Sequence, residues 1–324
     1  MMRKGIRSCF LWFITFSILL TGCITTKEIE QWKNERKEIL ISKSSVIYTN
    51  AGPVEYGASG EGPPFVLIFQ GAMSSYYEGL VIGRILAQEN ALKVISPSRP
   101  GYLRTPLETG KTPEAQADAF AALLDELKLE KVVALAVSGG GPSSLYFALK
   151  YPHRTEALIL VSAVRESIVF EDLNIFQRTM INNAFSDRTG YKNYTLLEER
   201  PEKAIKKFFP DSAPTILKNQ EAAALTVRVM RSTFPLSLGK EGSFNDFSAH
   251  SFFPIDKLKE ITVPTLILHS KNDEMAPYSG ILPVSEKIPG AELKVFETGG
   301  HLFFIPHWDV FKEDIAGFIE EHTP

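Results

Sequence analysis

Residues 131–150 read KVVALAVSGGGPSSLYFALK, and this stretch decides the fold. Its first seven residues are mostly apolar and rich in β-branched side chains, which is typical of a central parallel strand covered on both faces. From Leu145 the pattern becomes helical, and Pro142 stands where a first helical turn tolerates a missing N–H group. A buried strand therefore passes into a helix through a very sharp turn at Ser138.

The turn itself reads Ala136-Val137-Ser138-Gly139-Gly140. This is the nucleophile-elbow pattern, in which a serine is exposed between a strand and a helix, with Ala136 in place of the first glycine. The residues two before and two after the serine nearly touch in such a turn, so both must be small, as Ala136 and Gly140 are. A glycine-rich turn of a dinucleotide-binding domain is the alternative, but the triple glycine is not GxGxxG and the strand lies deep in the chain. The pattern favours a serine nucleophile over a plain turn.

Length and composition are those of an ordinary globular protein, with 324 residues, 44 % hydrophobic and 23 % charged. Such a length suits one large domain, or one domain with an inserted subdomain. The formal net charge of -3 gives no support to a nucleic-acid-binding surface, so no nucleic-acid partner is expected. The sequence contains no HExxH, CxxC or P-loop motif, so no metal or organic cofactor is expected.

The amino terminus predicts a signal peptide. A positively charged segment, residues 3–7, precedes an apolar stretch over residues 9–20 that is too short to span a membrane. The stretch ends in Leu20-Thr21-Gly22-Cys23, which resembles the lipobox of bacterial lipoproteins. That resemblance implies removal of residues 1–22 and attachment of lipid, with acyl chains such as palmitate, to Cys23. An ordinary secretory signal, or an uncleaved anchor with an incidental Cys23, is the alternative.

A lipidated Cys23 would anchor the protein to a membrane of the cell envelope. Ile24 is not the aspartate that usually retains such proteins in the inner membrane, so the outer membrane is expected where the source has two. Residues 23–44 are predicted to form a charged tether. Its apolar side chains fit a weak helical stripe that would pack on the body or lie on the membrane, namely Ile29, Trp32, Ile39 and Leu40.

Beyond the tether, predicted strands alternate with predicted helices. Apolar strands are predicted over residues 65–69, 92–96, 131–137, 157–161, 264–269 and 292–296. Such alternation favours βαβ units and a mainly parallel sheet. Residues 167–252 interrupt it with helices, loops and many aromatic side chains. We therefore predict a core of residues 45–166 and 253–324, with residues 167–252 inserted as a helical lid.

The body from about residue 46 to residue 322 resembles an α/β-hydrolase. The resemblance rests on the elbow at Ser138 and on two later turns that follow predicted strands, Ser270-Lys271-Asn272-Asp273 and Thr298-Gly299-Gly300-His301. In that family the nucleophile, the acid and the histidine follow in this order. The resemblance implies an α/β fold, with a mostly parallel central sheet flanked by helices, and a catalytic triad of Ser138, Asp273 and His301.

The resemblance also implies a role for each residue. A serine hydroxyl is a weak nucleophile unless a base takes its proton during attack, and His301 would be that base. Asp273 would hold the imidazole in the required tautomer and stabilise the imidazolium. Glu166, after the preceding strand, is an alternative acid position used by some members of the family, and Glu274 lies beside Asp273. His269, at a strand end, is predicted to lie near the site in a structural role.

When a serine attacks a substrate carbonyl group, the tetrahedral intermediate that forms needs hydrogen-bond donors for its oxyanion. The resemblance implies the backbone N–H groups of Gly139, after the nucleophile, and of Ala72, in the turn after the strand over residues 65–69. Relatives usually read His-Gly before the second donor, whereas this chain reads Gln70-Gly71. Residues 98–102 resemble the Asp-Arg-Pro-Gly segment of the family, with serine in place of the aspartate, and Arg99 is predicted to be a structural brace.

Together these motifs predict a serine hydrolase that cleaves a small-molecule ester, or an amide, through an acyl-enzyme. The lid aromatics are expected mainly to pack the lid on the core, with a few lining an apolar pocket. The Ser-Gly-Gly-Gly sequence is also similar to that of iminopeptidase-like members, which remove an amino-terminal residue. A surface lipoprotein that keeps the fold and binds a ligand without turnover is an alternative of a different class.

Overall fold

The structure is a computed structural model that describes residues 24–323. The predicted signal peptide, residues 1–22, and the predicted lipid-attachment residue Cys23 lie outside the described residues. Between residues 24 and 323, no helix is both long and apolar enough to cross a membrane.

A sheet of eight strands forms the centre of the part of the chain that the structure describes. The strands are β1 (Ser45–Thr49), β2 (Gly52–Ser59), β3 (Phe65–Phe69), β4 (Lys93–Pro97), β5 (Val132–Val137), β6 (Thr155–Val161), β7 (Thr265–Ser270) and β8 (Glu292–Phe296). Their spatial order is β1-β2-β4-β3-β5-β6-β7-β8, in which β2 runs antiparallel to both neighbours and all pairs from β4 to β8 are parallel. The mostly parallel sheet expected from the sequence is confirmed.

Helices flank this sheet and also form an inserted block. They are α1 (Thr26–Ile41), α2 (Tyr76–Asn90), α3 (Pro113–Glu126), α4 (Gly141–Lys150), α5 (Ile175–Ala184), α6 (Asp187–Glu199), α7 (Pro201–Phe208), α8 (Ala213–Ile216), α9 (Gln220–Thr233), α10 (Lys240–Asp246), α11 (Tyr278–Lys287) and α12 (Trp308–His322). Helices α2 and α12 cover one face of the sheet, and α3, α4 and α11 cover the other. Helices α5 to α10 lie between β6 and β7 in the sequence.

The side chains of the central strands account for the cover on both faces. On β3, Val66 and Ile68 join the apolar cluster under α2 and α12, whereas Leu67 and Phe69 join the cluster under α3, α4 and α11. Successive side chains of a strand point to opposite faces, so a fully apolar strand must be buried on both sides. The continuous apolar runs seen in the sequence therefore become the middle of a three-layer core.

The two ends of the inserted block, which is called the lid from here on, lie side by side. Glu166 and Phe252 pair in an isolated antiparallel β-bridge. Next to it, the N–H of Ser167 donates to the carbonyl of Ser251 at 3.2 Å. These contacts join the two ends of residues 167–252, the segment predicted from the sequence to be a lid.

The predicted tether contains α1, which is docked on the lid. Ile29, Trp32 and Leu40 are buried, whereas Ile39 is 39 % exposed. The indole ring of Trp32 packs edge-on against the ring of Tyr191 in α6, with 5.6 Å between the centroids. Three members of the predicted stripe therefore pack on the protein itself, and α1 is part of the folded body.

Candidate active site

Ser138 occupies a strained turn at the carboxyl end of β5. Its φ angle is 50°, in the left-handed region that costs a non-glycine residue about 1–3 kcal/mol. The residue begins a 3-10 turn, Ser138–Gly140, and α4 starts directly afterwards. The N–H of Val164 donates to the carbonyl of Ser138 at 3.1 Å and holds the turn from the β6 side. This is the geometry that the nucleophile-elbow pattern predicts.

The glycines after Ser138 let neighbouring backbones approach closely. A Cβ atom added to Gly139 would lie 2.9 Å from the nitrogen of Ala72, so the two predicted oxyanion donors belong to adjacent backbone segments. A Cβ atom added to Gly140 would lie 2.0 Å from the carbonyl oxygen of Phe69. Real Cβ atoms do not approach other atoms this closely, so both positions require glycine.

Asp273 and His301 follow β7 and β8, respectively, and they are in contact. Nδ1 of His301 lies 2.9 Å from Oδ2 and 3.1 Å from Oδ1 of Asp273. The N–H groups of Met275 and Ala276 donate to Oδ1 of Asp273 at 3.0 and 2.8 Å. Since Nδ1 is held by a carboxylate that is itself fixed by backbone donors, proton exchange falls to Nε2 of His301.

Ser138 and His301 line the same cavity, which has a volume of about 380 Å³. Ala72 and Gly139 line it as well, so the structure brings all five residues predicted for the chemistry to one place, with Asp273 behind His301. Most of the other walls are apolar side chains, among them lid residues Ile181, Phe185, Phe208, Met230, Phe234 and Phe247. Some lid aromatics thus line an apolar pocket, as the sequence predicted.

The charges around His301 favour its protonated form. Burial disfavours the imidazolium, but the charge and hydrogen bond of Asp273, together with the charge of Glu78, outweigh burial. The pKa of His301 is therefore raised above its ordinary value of 6.5. A histidine in this environment is a stronger base than in water.

Glu78 belongs to this cavity, although no motif in the sequence marks it. It lies in the first turn of α2, which follows the loop that carries Ala72. Burial raises the pKa of its carboxyl group from the ordinary 4.5 to about 7, against the opposing effects of a hydrogen bond with Ser74 and of the His301 charge. Its Oε2 atom is buried without a hydrogen-bond partner. An acid in a first helical turn is common in sequences, so only the fold reveals that Glu78 lies in the cavity.

A buried ion pair joins the loop before Ala72 to the lid. Nη1 and Nη2 of Arg99 each donate to a carboxylate oxygen of Asp246, in α10, at 2.6 Å. Nε and Nη2 of the same side chain donate to the carbonyl oxygens of Gln70 and Gly71 at 2.9 and 3.1 Å. Arg99 is therefore the brace that the sequence predicted. The amide group of Gln70 is buried and makes no hydrogen bond, so the hydrogen bonds of Arg99, and not the Gln70 side chain, support this loop.

Relatives carry an aspartate where this chain has Ser98. Here a carboxylate from β2, that of Glu55, lies next to this position. The hydroxyl of Ser98 donates to Oε2 of Glu55 at 2.8 Å. Glu55 is fully buried and also forms an ion pair with Arg104 at 2.8 Å. The serine substitution thus leaves an acid beneath this segment.

The alternative residues lie in different environments. Glu166 lines the cavity, but 59 % of its side chain is exposed and it forms an ion pair with Arg165 at 2.6 Å. His269 is fully buried, and its Nε2 lies 2.7 Å from the carbonyl oxygen of Ala276. Burial also lowers the pKa of His269. The acid in contact with His301 is therefore Asp273, and His269 has the structural surroundings predicted for it.

Residues 24–323 contain no group of three or more histidine, cysteine, aspartate or glutamate side chains arranged to hold a metal ion. The polar groups of the cavity are suited to proton transfer and hydrogen bonding. The site has the groups that can activate a hydroxyl and receive a developing oxyanion.

Known proteins share this fold and sequence pattern. An uncharacterized hydrolase of Bacillus subtilis strain 168, YcgS, is 28 % identical over 260 residues, which cover 79 % of this chain and 90 % of the relative. A proline iminopeptidase of Lactobacillus helveticus is 23 % identical over 284 residues, covering 82 % and 92 %. The solved structure of an α/β-hydrolase fold protein from Nakamurella multipartita superposes with a TM-score of 0.75 at 27 % identity, covering 85 % of this chain and 98 % of the other. The sequence model of the α/β-hydrolase fold family matches residues 63–307, and the chain belongs to that family.

Proposed function

We propose that the protein is a serine hydrolase that cleaves an ester bond through an acyl-enzyme. The observation that carries this proposal is the 2.9 Å contact between Nδ1 of His301 and Asp273 at a cavity that also contains the strained Ser138. A buried carboxylate, an imidazole and a hydroxyl in this sequence are the parts that nucleophilic catalysis needs. The largely apolar walls suit an uncharged acyl or alcohol group.

In the proposed acylation, Oγ of Ser138 attacks the ester carbonyl while Nε2 of His301 takes the hydroxyl proton. The carbonyl electron pair moves onto oxygen, where the N–H groups of Ala72 and Gly139 would stabilise the negative charge. Asp273 stabilises the imidazolium that forms. The intermediate then collapses, and the alcohol leaves with the proton from His301. In the second half, water attacks the acyl-enzyme with His301 as base, which releases the acid and restores Ser138.

Replacement of the proposed nucleophile tests this function. Ser138→Ala should abolish hydrolysis of short p-nitrophenyl esters and covalent labelling by a fluorophosphonate probe, with an unchanged circular dichroism spectrum. Ser285→Ala, a serine of α11 whose hydroxyl donates to the carbonyl of Leu282, is the matched control and should react as the parent does. Labelling of Ser138→Ala at the parent rate would refute the assignment. A parent protein that binds ligand but neither labels nor turns over ester would favour the non-catalytic alternative.

An iminopeptidase-like activity is the second candidate. It is supported by the similarity to the proline iminopeptidase of Lactobacillus helveticus and by the Ser-Gly-Gly-Gly sequence at the elbow. The same acyl-enzyme chemistry would then release an amine instead of an alcohol. Hydrolysis of proline p-nitroanilide without hydrolysis of p-nitrophenyl esters would select this candidate.

We also propose that Cys23 is lipidated and anchors the enzyme in the cell envelope, in the outer membrane where the source has two membranes. The support is the sequence alone, with a cationic segment and an apolar stretch leading to Leu20-Thr21-Gly22-Cys23. An alkynyl palmitate analogue fed to expressing cells should label the parent and not Cys23→Ser, and the parent should sediment with membranes. Equal labelling of both proteins would contradict lipidation at Cys23.

A further inference from the structure

Glu78 is a half-buried acid that the proposed mechanism does not use. It lines the same cavity as Ser138 and His301, and its Oε2 atom is enclosed without a hydrogen-bond partner. His301 lines the same cavity, and the charges of Glu78 and His301 act on each other's pKa. The helix that carries Glu78 also follows the loop of Ala72. A group that reaches Glu78 in this cavity would therefore lie near the scissile bond.

The buried acids around the site have partners for their oxygens. Each carboxylate oxygen of Asp246 accepts a hydrogen bond from Arg99, one from Nη1 and one from Nη2. Asp273 receives Nδ1 of His301 and backbone N–H groups. A buried carboxyl oxygen without a hydrogen-bond partner is unfavourable, so the unpaired Oε2 atom of Glu78 needs an explanation that the fold alone does not provide.

The charge of the cavity indicates what kind of group could provide the donor. Among the described residues that line it there is no lysine or arginine, whereas Glu78, Glu166 and Asp172 are acidic. Glu166 is engaged by Arg165. In the active form His301 is neutral, so a carboxylate or phosphate on the substrate would meet no cation among these lining residues, and its desolvation would be uncompensated. A hydroxyl or an ammonium group, by contrast, could donate directly to Glu78.

We propose that Glu78 is a specificity-determining residue that accepts a hydrogen bond from the substrate, so that the preferred esters carry a hydroxyl or a protonated amine close to the scissile bond. The inference rests on the proposed esterase function. It assigns the substrate class as neutral or cationic esters with an apolar body and a nearby donor. Sites that hydrogen-bond a substrate group discriminate strongly against analogues without it, because the buried partner is then left unpaired.

A panel of ethyl esters tests the proposal, with acid release followed in a pH-stat. The panel contains ethyl butyrate, ethyl 2-hydroxybutyrate, ethyl 3-hydroxybutyrate and ethyl 2-aminobutyrate, together with 2-hydroxyethyl butyrate for a donor on the alcohol side. We expect kcat/KM for at least one donor-bearing ester to exceed that for ethyl butyrate by about tenfold or more. Glu78→Leu should bring this ratio close to one. Glu78→Gln keeps a carbonyl acceptor and should retain a hydroxyl preference but lose an ammonium preference, which separates the two donors.

Glu221→Leu is the matched control, because Glu221 is an exposed acid in the first turn of α9, and it should keep the parent ratio. Ratios close to one in the parent, or a parent-like ratio in Glu78→Leu, would overturn the role of Glu78. Fluorophosphonate labelling of Ser138 in each variant verifies an assembled site. If the parent neither hydrolysed any ester nor was labelled, the proposed function itself would be refuted. Failure of the proposed role of Glu78 can therefore be distinguished from failure of the proposed function.

Discussion

Asp273 holds Nδ1 of His301 at 2.9 Å, and the same carboxylate accepts two backbone N–H groups from its own loop. The loop thereby orients the acid, and the acid orients the imidazole. In a second histidine, His269, Nε2 lies 3.8 Å from Oδ2 of Asp273 but only 2.7 Å from the carbonyl oxygen of Ala276. The choice between the two histidines is therefore made by the loop after β7.

Asp273→Asn should lower kcat for p-nitrophenyl butyrate by about 10⁴-fold. The amide would present an N–H group as well as a carbonyl oxygen to the imidazole, which permits the tautomer with the proton on Nε2 and removes the charge that stabilises the imidazolium. Glu166→Gln is the matched control, since Glu166 is the alternative acid and pairs with Arg165. A larger loss in Glu166→Gln than in Asp273→Asn would reverse the assignment of the acid.

Gly139→Ala should lower kcat by about 10²- to 10³-fold, the effect expected when an oxyanion donor is displaced. The added methyl group would begin 2.9 Å from the nitrogen of Ala72, so the two donor segments must separate. Gly280→Ala is the matched control, because a Cβ atom at Gly280 would meet nothing within 4 Å. Gly280 lies in the first turn of α11, where alanine should stabilise the protein by at most about 0.5–1 kcal/mol and leave kcat unchanged. Equal kcat values for the two variants would argue against an oxyanion role for this segment.

The residues that the sequence could predict are those whose role depends on local chain geometry. Ser138 needs a strand, a tight turn and a helix within a few residues, and Asp273 and His301 each follow a strand whose apolar run is plain. The carboxyl ends of parallel strands meet at one edge of the sheet. Once the strands are predicted, the side chains of Ser138, Asp273 and His301 are therefore predicted to meet at that edge.

Contacts between distant segments could not be predicted from the sequence. Arg99 and Asp246 are 147 residues apart, and no local pattern predicts that they pair. The interaction of Glu78 with His301 likewise joins two distant parts of the chain. The weak stripe of α1 suggested packing but not its partner, because the lid surface that receives Trp32 exists only after the lid has folded.

The pH dependence of kcat/KM should show an acidic limb with a midpoint above 6.5, since His301 must be neutral to accept the proton and its pKa is raised above 6.5. Activity should fall as the pH falls through that midpoint. Glu78→Gln removes one of the negative charges that favour the imidazolium, so its midpoint should move to lower pH. The rates of a p-nitrophenyl ester between pH 5 and 9 measure both midpoints. A midpoint that stays in place, or moves to higher pH, would show that the charge of Glu78 does not act on His301.

Glu78→Gln should also stabilise the protein, and by more at high pH than at low pH. The pKa of Glu78 is about 7 in the folded protein against an ordinary 4.5, so the folded state holds the proton more tightly than the unfolded state. The stability that this provides is complete below pH 4.5 and is lost as the pH rises to about 7. The rise of the pKa from 4.5 to about 7 corresponds to about 3 kcal/mol in the free energy of unfolding. The difference in free energy of unfolding between the variant and the parent, measured by urea denaturation at several pH values, should therefore grow between pH 4.5 and 7 and then level off. A difference that is constant with pH would mean that Glu78 is as easily ionised in the folded protein as in the unfolded chain.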